Sequence, residues 1–143
     1  MSTRVKSLPD VVGLQQLRSL ILVDCGISQL PLAGLDCLET LDVRRNRLRE
    51  LPTSVGLCRR LRTVRLSYNV VRQLPSQLGQ LTDSLTTLDC AFNRLKRLTT
   101  HLVQCTQLRS LQVQSHVIVS LQSFYLFIYL FICLLTVLTS LKT

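Results

Sequence analysis

Two histidines and six cysteines are the residues of this 143-residue chain best suited to acid–base, nucleophilic or metal chemistry. Their spacing argues against all three. His101 and His116 have no carboxylate or nucleophile at a separation that would complete a catalytic pair. Cys25, Cys37, Cys58, Cys90, Cys105 and Cys133 form no CxxC pair and no Cys/His zinc pattern. The five glycines are scattered, so there is no glycine-rich phosphate loop. The chain reads as a non-enzyme, with no catalytic residue, metal or cofactor. The chemistry left to it is recognition. Basic residues outnumber acidic ones 17 to 8, nearly all of the basic ones are arginine, and Arg, Tyr and Phe are common anchors of protein interfaces.

The elements that position these side chains follow from self-similarity within the chain. LRSLILVDCGISQLPLAGLDCL opens at Leu17. LETLDVRRNRLRELPTSVGLCRRL opens at Leu38, LRTVRLSYNVVRQLPSQLGQLTDSL at Leu61 and LTTLDCAFNRLKRLTTHLVQCTQL at Leu85. The steps between opening leucines, through Leu108, are 21, 23, 24 and 23 residues by subtraction. All four segments fit LxxLxLxxNxLxxLPxxLxxL with small slips in the second half. In LxxLxL the central residues alternate as a short half-buried strand does. Leu41 and Val43 then point inward while Thr40, Asp42 and Arg44 point out. Asn46, Asn69 and Asn93 fall where the chain must turn back over the core, and an Asn there can bond free backbone groups with both its carbonyl and its amide. Cys25 holds that place in the first repeat and His116 in an incomplete fifth one. After the turn, Leu48, Leu51, Val55 and Leu57 are expected to line the inner side of the return segment. Pro52 and Pro75 favour an extended or helix-starting geometry there. No repeat buries its leucines alone, so stacking must supply the core.

Over roughly residues 8 to 121 this pattern resembles the leucine-rich repeat family, in its cytoplasmic LPxxL form, as in Ras-associated scaffolds and Scribble-like polarity proteins. The resemblance implies an α/β fold: a right-handed solenoid of about four to five repeats, with short parallel strands and irregular or short helical return segments. It implies that Asn46, Asn69 and Asn93, with Cys25, stack as a structural turn ladder. It also implies a protein–protein interaction module, a scaffold or adaptor in intracellular signalling, with a small GTPase as one class of partner. Residues 1–16 read as a partial N-terminal repeat, 17–121 as the repeat domain and 122–143 as a hydrophobic tail. LPDVVGLQQL, beginning at Leu8, looks like half a repeat, so the chain reads as a fragment or short isoform of a longer protein. A regulatory fragment of a multidomain kinase or GTPase is a weaker alternative.

The repeat register assigns two surfaces. The outward strand positions carry Asp42, Arg44, Arg65 and Asp89, and the position just before the turn carries Arg45, Tyr68 and Phe92; these seven are the candidate partner-binding face. Phe92 has an alternative, packing inward over the turn. Asp42, Arg65 and Asp89 alternate in sign and can pair with one another, which contributes only about 0–1 kcal/mol when exposed. Just past the turn, Arg49, Arg72 and Lys96 occupy one equivalent position and Arg47 and Arg94 another. They form a candidate basic stripe, which either confers solubility or attracts acidic protein or anionic lipid headgroups. No recognition motif for nucleic acid accompanies the charge, and none is expected as a partner.

MSTRVKSLPD has no apolar stretch of a signal peptide, and the cysteines read as reduced thiols packed as small hydrophobes, which together point to the cytoplasm. The C-terminus breaks the pattern. From Ser110 to Leu141 there is no Lys, Arg, Asp or Glu, and the 22 residues from Val117 to Leu138 include only Ser120, Gln122, Ser123 and Thr136 as clearly polar ones. As a helix they would span about 33 Å, enough for a hydrocarbon core of about 30 Å. Tyr125 and Tyr129 near one end suit an interfacial belt, and the basic repeats would face the cytosol. Three readings follow: a tail-anchored membrane protein, a hydrophobic helix capping the open end of the solenoid, or a foreign C-terminus. The first predicts that the full chain resists alkaline carbonate extraction from membranes while a chain ending at Val113 does not sediment with them. A soluble full chain that loses thermal stability on that truncation supports the capping reading, and insoluble material without membrane association supports the third.

Overall fold

A computed structural model describes residues 13–113. Residues 1–12 of the expected partial repeat (1–16), residues 114–121 of the expected repeat domain with the turn at His116, and the tail (122–143) with the helix expected there lie outside the described residues. Five three-residue strands form one parallel sheet in chain order: β1 Ser19–Ile21, β2 Thr40–Asp42, β3 Thr63–Arg65, β4 Thr87–Asp89 and β5 Ser110–Gln112. Their register aligns equivalent repeat positions, pairing Leu20, Leu41, Val64, Leu88 and Leu111 in one row. Each strand is one turn of a solenoid.

The inward residues behave as the alternation requires. Leu41, Val43, Val64, Leu66 and Leu88 are fully buried, and they join leucines of every coil in one continuous core. Three return segments are short 3₁₀ helices, Thr53–Leu57, Ser76–Gln80 and Thr100–Gln104. Pro52 and Pro75 stand immediately before the first two, in the extended conformation that their fixed φ permits. No α-helix occurs among the described residues, so the α part of the expected α/β class is carried by 3₁₀ turns.

That geometry corrects one expected core position. A 3₁₀ helix repeats every three residues. The core therefore receives Val55 and Cys58, Leu78 and Leu81, and Leu102 and Cys105. Leu57 falls on the outer side and is 55% exposed. The first return segment is shorter and uses two successive turns. Leu35 N–H donates to Leu32 C=O (3.2 Å) and Leu38 N–H to Leu35 C=O (3.1 Å), which again spaces its buried leucines by three.

The 3₁₀ helices stack closely through glycine. Gly56 and Gly79 occupy the same repeat position and are buried. A Cβ on Gly79 would sit 2.7 Å from His101 O and 2.8 Å from His101 Cβ. The next coil has Val103 in that place, 39% exposed. The tight approach made at Gly56 and Gly79 is thus closed to anything stacking on Val103.

Cys25, Cys37, Cys58, Cys90 and Cys105 form no disulfide among the described residues, and three of them are buried. Burial raises the Cys58 and Cys105 thiols to about 11 and, with the Asp89 charge, Cys90 to about 12. They are neutral, weakly nucleophilic packing groups near physiological pH. Cys105 Sγ donates to Leu78 O at 3.2 Å and Cys90 Sγ to Gln112 O at 3.3 Å, linking adjacent coils.

Two substitutions test this packing by thermal denaturation. Leu66→Asp places a charge in the interior of the stack and is expected to cost several kcal/mol or abolish the cooperative transition. Gly79→Ala meets backbone rather than a movable side-chain end and is expected to cost about 1–3 kcal/mol. A parental midpoint for either variant would refute the register described above.

Candidate functional site

The turn after each strand places the recognition residues. Asn46 Oδ1 accepts from Cys25 N–H and Ile27 N–H (both 3.1 Å), and its Nδ2 donates to Leu22 O, Val43 O and Arg44 O. Asn69 takes Leu48 N–H (3.0 Å) and donates to Val43 O and Leu66 O. Asn93 takes Val71 N–H (3.0 Å) and donates to Leu66 O, Cys90 O and Ala91 O. Each Asn thus ties its own coil to the preceding one. Cys25, at the same position, offers only a thiol, donated to Val23 O at 3.4 Å.

The residue before each of these positions is in the left-handed region: Asp24 (φ 57°), Arg45 (57°), Tyr68 (59°) and Phe92 (52°). None is glycine, and bulky residues rarely adopt this conformation. The sequence gives no signal for this conformation, because Arg, Tyr and Phe are not residue types that favour it. The strain is held by the Asn bonds on one side and by inter-coil bonds from the same residues, Arg45 N–H to Ser67 O (3.0 Å) and Tyr68 N–H to Ala91 O (3.2 Å).

The turn aims these side chains at solvent. Tyr68 and Phe92 stack almost parallel, with ring centroids 4.5 Å apart and planes 7° apart, and the Arg45 guanidinium lies 5.5 Å from the Tyr68 ring centroid. Arg45, Tyr68 and Phe92 therefore form one column on three adjacent coils. Phe92 remains 39% exposed and Tyr68 49%, so the inward alternative for Phe92 does not hold. Its partner is the neighbouring aromatic ring, not the core.

The strand face beside this column is paired. Arg44 grips Asp42 with a two-pronged contact, Nε to Oδ1 at 2.8 Å and Nη2 to Oδ2 at 2.7 Å, and Arg65 approaches Asp42 Oδ2 at 3.8 Å. Asp42 is consequently buried, although it points away from the core. Burial alone would raise its pKa; the bonds from Arg44 and the charges of Arg44 and Arg65 outweigh this and hold it below the ordinary carboxylate range. Asp89 does not join the pairing. Its Oδ1 accepts Ala91 N–H at 3.2 Å, as Asp42 Oδ1 accepts Arg44 N–H at 3.3 Å, but Ala91 has no guanidinium to follow. Ser67 and Ala91, short residues at outward positions, are also buried. Ile21 (63% exposed) and Val23 add an apolar end to the same face.

Beyond the Asn turn, Arg47, Arg49, Arg72 and Arg94 line one open groove of about 680 Å³, with Ser28, Gln29 and Val70. Lys96, exposed at the position equivalent to Arg49 and Arg72, is not among its lining residues. The ion pairs formed among the described residues involve Arg18, Arg44 and Arg65, none from this groove.

Comparison with known proteins agrees with the architecture. Residues 2–141 match the family described as leucine-rich repeat region. The human volume-regulated anion channel subunit LRRC8E is 34% identical over 82 residues, covering 54% of this chain, and the mouse protein is 35% identical over the same length. This chain spans about a tenth of the length of those relatives. Among solved structures, the Listeria monocytogenes internalin InlF superposes with a TM-score of 0.75 at 26% identity, covering 86% of this chain and 35% of that one. Internalin C2 of the same organism gives 0.74 at 23% identity, covering 84% and 52%, and that likeness concerns the fold alone. With its aligned strands, asparagine ladder and buried leucine rows, the chain belongs to the leucine-rich repeat family.

Proposed function

We propose that this chain is a protein-recognition module that docks a partner on the solvent face of its sheet, in a scaffold or adaptor role within intracellular signalling. The single observation that carries the reading is the exposed Arg45–Tyr68–Phe92 column. Two aromatic rings and a guanidinium are held at solvent by a strained backbone conformation, repeated coil after coil. Backbone strain of this kind persists only where surrounding bonds hold it, here those of the turn and between coils, so the column is ordered before any partner arrives. Exposed aromatic and arginine side chains are the residue types that dominate binding energy in interfaces.

The face is chemically mixed. Ile21 and Val23 offer apolar contact at one end, the rings offer it at the other, and Asp42 largely satisfies Arg44 and Arg65 between them. A partner suited to it presents apolar and aromatic groups with few charges, and its binding depends weakly on salt. An acidic partner, such as the acidic surface of a small GTPase, would instead use the unpaired arginines beyond the turn. Membership of the leucine-rich repeat family, whose fold is typical of protein–protein interaction modules, supports recognition as the role. The channel activity in the name of the LRRC8E subunits belongs to proteins of which this chain matches about a tenth.

The geometry also selects the mutations. Truncating Arg44 would strand the buried Asp42 carboxylate and confuse folding with binding. Asn accepts the left-handed conformation better than Tyr or Phe. Tyr68→Asn with Phe92→Asn is therefore expected to leave the melting temperature unchanged or raised. A photo-crosslinking residue at Ile21, at the apolar end of the same face, is expected to capture a defined protein in cells, and the double substitution is expected to reduce that capture at least tenfold. Undiminished capture by a normally folded double variant would remove the column from the binding face.

A further inference from the structure

The geometry points to a second binding site, distinct from the proposed protein-docking face: the groove lined by Arg47, Arg49, Arg72 and Arg94 takes a ligand bearing two or more phosphate groups. Four arginines from three successive coils line it. Their backbones are fixed. Arg47 N–H donates to Ile27 O (2.9 Å), Val70 N–H to Leu48 O (3.0 Å), Arg94 N–H to Val71 O (2.9 Å) and Arg72 N–H to Arg49 O (3.3 Å). Arg49 and Arg72 are thus direct neighbours. Arg47 and Arg94 flank Val70 in the parallel row, two coils apart, about 10 Å at ordinary strand spacing.

Among the described residues, none of these four arginines makes an ion pair. The contrast with the opposite side of the turn is sharp, where Asp42 is shared by Arg44 and Arg65. Unpaired like charges held close repel each other, and an anion that enters between them relieves the repulsion. Glu50 lies beside Arg49 and Arg72 in a smaller adjoining groove, so it borders the cluster without neutralising it.

The residue type and dimensions select the anion. Arginine presents a planar fork that meets phosphate with two parallel hydrogen bonds. A volume of about 680 Å³ lies within the range of small-ligand sites. Val70 is the apolar contact in a lining otherwise polar or charged, which lacks the aromatic anchors of a protein interface. Phosphates on a compact scaffold fit this arrangement better than an acidic polypeptide does. A soluble polyphosphorylated compound and a phosphorylated lipid headgroup share this chemistry.

The test uses the full chain in neutral detergent, titrated calorimetrically with inorganic tripolyphosphate near physiological salt. Saturable one-site binding is expected. Arg49→Gln with Arg72→Gln is expected to weaken it at least about tenfold, as loss of charge-assisted bonds predicts. Arg59→Gln with Arg60→Gln removes the same charge elsewhere and is expected to leave the affinity nearly unchanged. Vesicles of phosphatidylcholine with and without phosphatidylinositol bisphosphate separate the sources. Recruitment that needs the phosphorylated lipid, Arg49 and Arg72, and is reversed by tripolyphosphate, identifies a headgroup; tripolyphosphate binding without such recruitment identifies a soluble ligand. Absence of saturable tripolyphosphate binding, equal loss in both double variants, or equally tight arginine-dependent binding of a glutamate-rich peptide of the same charge overturns the proposal.

Discussion

Every coil of this solenoid must reverse direction immediately after a three-residue strand, and the reversal would leave backbone amides and carbonyls facing the interior without partners. Buried polar backbone groups without partners cost as much as several favourable contacts supply. The asparagine amide resolves this by acting as donor and acceptor at once. Asn69 bonds backbone groups at Val43, Leu48 and Leu66, which lie on two coils. The leucine core stacks only because this turn can be buried. Leucine supplies most of the driving force, and the asparagines determine the geometry in which it is realised.

The same constraint explains the exposed chemistry. To bring Asn into position the preceding residue adopts a left-handed conformation, and its side chain is turned to solvent. Repetition at the coil spacing then brings Arg45, Tyr68 and Phe92 into contact with one another. A device that satisfies buried backbone thereby generates an ordered surface column. On the other side of the turn the inter-coil bonds align arginines by the same translation. The two surfaces are products of one turn, but they differ electrostatically. The sheet face contains a carboxylate shared by two arginines, whereas the groove beyond the turn contains arginines without ion-pair partners among the described residues.

The opposite edge of each coil obeys a steric rule rather than a polar one. Gly56 and Gly79 allow 3₁₀ helices to approach until their backbones nearly touch, and Val103 ends that run. The rise per coil is thus limited by hydrogen-bond length at the strands and by glycine at the return segments. Agreement between the two edges keeps the sheet row regular.

Much of this was legible in the order of residues. A repeat of 21 to 24 residues with leucine at fixed offsets states which positions share a row, because translation along the solenoid preserves them. The strand register, the inward set Leu41, Val43, Val64, Leu66 and Leu88, and the place of Asn46, Asn69 and Asn93 at the turn follow from spacing, whereas their stacking as a ladder is what the family resemblance implies. What spacing does not contain is direction within a turn and contact between coils. Leu57 reads as core in the leucine pattern, yet a 3₁₀ helix, by rotating three residues per turn, presents Cys58 instead. Phe92 reads equally well as inward or outward, and its stacking on Tyr68 depends on a backbone angle that its residue type disfavours. Asp42, Arg65 and Asp89 look alike as alternating charges on adjacent strands. Only the folded chain selects Asp42 as the shared partner: both carboxylates accept the N–H two residues on, but in one coil that residue is Arg44, whose guanidinium reaches back to Asp42, and in the other it is Ala91. Position in a repeat is a property of the sequence; the choice among partners at equal repeat distance is made by side-chain geometry, which exists only after the coils have stacked.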